Sequence, residues 1–73
     1  MNVRLIEANR QRFAGSAGQV TVPTTAGELS VLEFHAPMLC ALAAGTVQVD
    51  AERFPVRGGL VRVYRNTVLI MAE

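Results

Sequence analysis

Glu33, His35 and Cys40 fall within one short stretch, EFHAPMLCAL, and the chain has no other histidine or cysteine. A thiol near an imidazole is the raw material of a cysteine nucleophile: the ring takes the proton and the thiolate attacks. A metal site is the other chemistry these residue types allow, but it needs three or four converging donors, and Glu33 is the only acid nearby. Cys40 sits inside Met38-Leu39-Cys40-Ala41-Leu42, where a thiol packs as a small apolar side chain. The stretch therefore reads as a turn that feeds an apolar run into a core.

The remaining candidates are no stronger. Glu7, Glu28, Glu33, Asp50, Glu52 and Glu73 are scattered and bracket no carboxylate pair for acid–base work. Gly58-Gly59 lacks the glycine spacing, the following helix and the lysine of a phosphate loop, so it reads as a bulge, a positive φ or a close backbone approach. Phe13, Phe34, Phe54 and Tyr64 could stack on bases, yet such platforms come with a basic groove, and the net charge here is only +1. Core packing is the expectation for Phe13 and Phe54. All seven basic side chains are arginine, which excludes Schiff-base chemistry and attachment of biotin or lipoate. With the charges in no block, nothing holds a nucleic-acid backbone.

The elements that must position these residues are β-strands. A chain of 73 residues is expected to form one domain over 1–73, with a small core to which a partner adds stability. At 51% hydrophobic and 18% charged it should fold, and no uncharged run reaches the roughly 20 residues of a membrane span. The lone cysteine and the polar start MNVRLIEANRQ fit a reducing compartment. Apolar and polar residues alternate in Gln19 to Val22, Thr46 to Asp50 and Leu60 to Tyr64, the period of a half-buried strand. Thr67 to Met71 is apolar on both faces and belongs in the middle of a sheet or under a partner. With Arg65-Asn66 between them, the last two runs make a hairpin. Turn residues recur at Gly15 to Gly18, Pro23 to Gly27, Gly45 and Gly58-Gly59, spaced as in a sandwich or barrel. Met38 to Ala44 is the one helical candidate, a single turn.

Taken end to end, the chain resembles the N-terminal β-sandwich domain of the epsilon subunit of F-type ATP synthases, called delta in mitochondria. Phe13-Ala14-Gly15 resembles the family's F-x-G, Ala26-Gly27-Glu28-Leu29 its EGELGI, and His35-Ala36-Pro37-Met38-Leu39 its GHAPLL. Ala44-Gly45-Thr46-Val47 resembles PGxV, Gly58 to Val63 resembles SGGFVEV, and Asn66-Thr67-Val68 with Met71-Ala72-Glu73 resembles NxVTVLAE. Thr24, Ser30 and Glu33-Phe34 depart from that pattern, and Phe34 stands where the family has glycine.

The resemblance implies an all-β fold of two packed antiparallel sheets, and a non-catalytic rotor subunit that needs no cofactor. Its implied partners are the gamma subunit of the central stalk and the c-ring, with no nucleic acid and no membrane span of its own. Its implied place is the cytoplasmic face of the bacterial inner membrane, where it couples ion flow to ATP synthesis. By carry-over, Glu28 and the loop of His35 would meet the c-ring, where the ring of Phe34 would add an apolar contact; Tyr64 and the two-faced run Val68, Leu69, Ile70 and Met71 would meet gamma, because their outward positions would otherwise leave apolar area in water. The family's C-terminal helical hairpin, which holds its ATP-sensing arm, has no counterpart in these residues. The free domain is expected to be a monomer or to self-associate weakly. A stand-alone β adaptor drawn from the same family is the alternative.

Overall fold

The computed structural model describes all residues, Met1–Glu73, and contains nine strands and no helix. They are β1 (Asn2–Glu7), β2 (Arg10–Ser16), β3 (Gln19–Thr24), β4 (Gly27–Leu32), β5 (Met38–Leu42), β6 (Gly45–Val49), β7 (Glu52–Val56), β8 (Gly59–Tyr64) and β9 (Thr67–Ala72). One layer runs β2-β1-β9-β8-β5, and the other is built from β4, β3, β6 and β7. The layers are continuous at a single pairing, Thr24 with Leu42, so one curled sheet folds over on itself. This is the all-β sandwich expected from the sequence.

Alternation decides which side faces inward. Val3, Leu5, Val61, Val63, Val68 and Ile70 from the first layer meet Val20, Val22, Val31, Val47, Val49 and Val56 from the second. Branched side chains suit this pleated surface, and valine supplies most of the volume. Phe13 on β2 and Phe54 on β7 pack edge to face at 5.9 Å and lie against the core, joining the two ends of the curled sheet. Their expected core role stands.

Two sequence expectations are corrected. Met38 to Leu42 is strand β5 rather than a helical turn, because pairing with β8 from Met38–Val63 to Leu42–Gly59 satisfies its backbone. The sheet is also not wholly antiparallel: β1 lies parallel to β9 from Asn2–Thr67 to Glu7–Ala72. A tight turn forces antiparallel neighbours, and none connects these two strands.

Three edges remain open, since β2 pairs only with β1, β4 only with β3 and β7 only with β6. The β7 edge carries Pro55. Paired positive φ values at Ala8-Asn9 and Arg65-Asn66 mark tight two-residue turns, the twist that hairpins favour. No helix in the chain is long and apolar enough to cross a membrane.

Candidate interaction surface

The outer face of the first layer is where sequence and structure converge. Its strand positions, read by register, form rows across β5, β8, β9 and β1: Leu39–Arg62–Leu69–Arg4, then Ala41–Leu60–Met71–Ile6, then Tyr64–Thr67–Asn2. Leu39 is 65% exposed, and Leu60, Tyr64 and Met71 are also exposed. A contiguous group of large apolar side chains left in water marks a surface that another body covers.

At one corner of this face the β4–β5 loop meets the β8–β9 turn. Leu32 accepts a hydrogen bond from the His35 amide at 3.2 Å, which closes a turn around Glu33 and Phe34. Phe34 is left at φ 60° and is 81% exposed. Its amide donates to the Asn66 side-chain oxygen at 2.9 Å, while the Asn66 side-chain nitrogen donates to Glu33 at 3.0 Å. The Asn66 carbonyl also accepts from the Asn2 amide at 3.0 Å. One asparagine thus ties the loop, the turn and the start of β1 together. Hydrogen bonds from the chain's α-amino group and from Asn66 hold the Glu33 carboxyl below its ordinary pKa.

Asn66 suits this place because it tolerates its φ of 57° and carries both a donor and an acceptor. Asn66→Ala is expected to cost about 2 kcal/mol, from two lost hydrogen bonds and a strained turn. Asn66→Gly, which keeps the turn but not the bonds, should cost about half as much by urea unfolding. Equal losses in the two variants would remove the backbone part of this account.

Most of the sequence-derived candidates find a place on or beside this face. Tyr64 and Met71 are exposed on it, and Leu69 is half-buried between Arg62 and Arg4. Val68 and Ile70 are fully buried, so they contribute to the core and not to a contact with gamma. Strand β9 is central, and alternation sends those two inward whatever covers the outside. Phe34 and His35 share a groove of about 390 Å³ with Pro37, Tyr64, Arg65 and Asn66. Glu28 lies at the other end of β4, in the β3–β4 hairpin, so the structure does not bring it together with Phe34 and His35.

The reactive side chains with which the sequence is first read do not meet as a catalytic set. Cys40 is half-buried and packs against the core. His35 is half-exposed in its loop, with its Nδ1 2.7 Å from the neighbouring Ala36 carbonyl oxygen. No three His, Cys, Asp or Glu side chains converge. Sequence reasoning gave Arg4 and Arg62 no role, and it saw Arg65 and Asn66 as the turn between β8 and β9 without the contacts that Asn66 makes there. Arg4 joins Arg62 only through the long-range β1–β9 register.

The fold and this face define a class: a β-sandwich that presents an exposed apolar surface on the outside of one layer. Residues 1–73 match the family model described as ATP synthase, Delta/Epsilon chain, beta-sandwich domain. The chain belongs to that family. It is 39% identical over 79 residues to the ATP synthase epsilon chain of Rhodococcus opacus, covering all of this chain and 65% of that one. An epsilon chain from a Synechococcus species is 35% identical over 77 residues, covering all of this chain and 56% of the relative. The chain thus spans between about half and two thirds of those relatives. In fold it is similar to a chain in the Euglena gracilis mitochondrial ATP synthase OSCP/F1/c-ring structure, with TM-score 0.88, 23% identity, and 96% of this chain and 48% of that one covered. It is likewise similar to one in the Tetrahymena thermophila central stalk and c-ring structure, with TM-score 0.77, 23% identity, and 97% and 61% covered.

Proposed function

We propose that residues 1–73 act as the β-sandwich unit of an epsilon subunit, a rotor component that joins the gamma subunit to the c-ring in an F-type ATP synthase. It performs no catalysis and needs no cofactor; its contribution is a stiff body with adhesive surfaces. Close-packed sheets resist shear because their side chains interdigitate. Such a unit sits peripherally, on the cytoplasmic face of a bacterial inner membrane, where the ring's polar loops are within reach. The family match over the whole chain carries this reading.

Phe34 supports it independently. A bulky residue in the left-handed region costs about 1–2 kcal/mol, and here the residue is 81% exposed, so side-chain packing within the chain does not repay it. Exposed Ala8, Asp50 and Arg65 share this backbone conformation, so what sets Phe34 apart is a large apolar ring left in water beside the outer face. Because Phe34 and His35 border Tyr64 in one groove, their contact belongs with the outer face and gamma; Glu28, on the far hairpin, is left as the polar contact for the c-ring.

Co-purification of the motor from the source cell with the tagged chain tests both contacts. Phe34→Gly should leave the fold as stable or stabilise it by about 1 kcal/mol while reducing recovery of gamma. Glu28→Lys should reduce recovery of c-ring and spare gamma. Recovery of neither motor subunit with the unaltered chain would end this assignment.

A further inference from the structure

The outer face of the first layer has a charge pattern that its apolar character conceals. Among its strand positions on β1, β5, β8 and β9 the only ionised side chains are Arg4 and Arg62, and none is acidic. Arg65 adds a third cation at the margin, in the β8–β9 turn. The ion pairs in the chain are Met1 with Glu33 and Arg12 with Glu7, so these three arginines have no carboxylate partner. Glu33, the acid on the adjoining loop, is already engaged by the α-amino group and Asn66. The guanidinium groups of Arg62 and Arg65 instead lie 5.4 and 5.3 Å from the centre of the Tyr64 ring. Stacking of this kind holds the charges in place without neutralising them.

We infer that this face takes a carboxylate-bearing apolar surface of the gamma subunit, with acids set against Arg62 and Arg4 and apolar side chains between them. The inference rests on the stalk reading given above and specifies the chemistry of its partner. Arg62 and Arg4 flank Leu69 in one row, two strand spacings apart, or about 10 Å. A helix laid across the strands rises about 10.5 Å over seven residues, so acids at positions i and i+7 fit the two arginines. Apolar residues between them would cover Leu69, and Leu39, Leu60 and Met71 extend the contact on either side.

Other occupants fit less well. A second copy of the chain would set arginine against arginine while both apolar patches were being desolvated. An anionic bilayer gains about 1 kcal/mol per basic residue at its surface, a weak hold for three cations on a chain of net charge +1.

The test is titration of the chain against the purified gamma subunit of the same organism, at low and high salt. The unaltered chain should bind, and more weakly as salt rises. Arg62→Glu and Arg4→Glu should each weaken binding about 10-fold or more, and Arg62→Gln should weaken it less. Both positions are exposed strand sites, so circular dichroism should show an unchanged fold. If the arginine variants bind as the unaltered chain does while Leu39→Ser and Leu69→Ser weaken binding, gamma remains the partner and the acidic complement is wrong. If the unaltered chain fails to bind gamma at all, the stalk reading falls and takes this inference with it. Arginine-dependent binding to phosphatidylglycerol vesicles, with gamma binding unaffected by the same variants, would also overturn it.

Discussion

Gly59→Ala should be among the most destabilising single substitutions in this chain, with an expected loss of about 3 kcal/mol or more. Gly59 opens β8 at φ 133°, a conformation that side-chain-bearing residues rarely adopt. A Cβ placed there would lie 2.0 Å from the Met71 carbonyl oxygen and 3.0 Å from the Ala72 Cα. Both are backbone atoms of β9, paired with β8 at this end, so neither can swing aside without opening the ladder. A chain of this size is worth only about 4–10 kcal/mol in total. The loss therefore lowers the melting temperature by roughly 12–24 °C. Gly58→Ala is the control: its φ of 151° is also strained, but its Cβ would come no closer than 3.4 Å to any atom. A melting temperature for Gly59→Ala within a few degrees of the unaltered chain would refute the close approach.

The second large effect separates two neighbours on β9. Ile70 is fully buried and Met71 is 39% exposed, so the same strand should answer oppositely at consecutive positions. Ile70→Ala removes core volume and should cost about 2–5 kcal/mol. Met71→Ser should change stability by no more than about 0.5 kcal/mol, and its effect should appear as weaker capture of gamma. Chemical unfolding and a pull-down, run on both variants, give four readings. A stability loss at Met71 equal to that at Ile70 would mean that the outer face is packed within the chain, and the proposed contact would fail.

How far this structure could be read beforehand varied by element. Strands β3, β6, β8 and β9 were legible because valine or other branched residues recur in them, and the β8–β9 hairpin followed from its two-residue turn. Strand β5 was not, because Met, Leu and Ala favour helices and only the distant pairing with β8 overrides that preference. Strand β7 was obscured by Pro55, which weakens a strand reading unless the strand is known to lie at an edge. Of the surface, Tyr64 was accessible to alternation, whereas Met71 was seen only within a run that is apolar on both faces. The separation of Ile70 from Met71 needed to know which face of a two-faced strand looks inward, and the row of Arg62, Leu69 and Arg4 needed the parallel pairing of the two ends of the chain.

Pro55 has a consequence beyond the fold. The outermost strand of a curled sheet is a template on which stray chains can grow into fibres, and a ring nitrogen without hydrogen leaves a gap in the row of donors that such growth requires. The chain on its own is thereby hindered from aggregating along that margin.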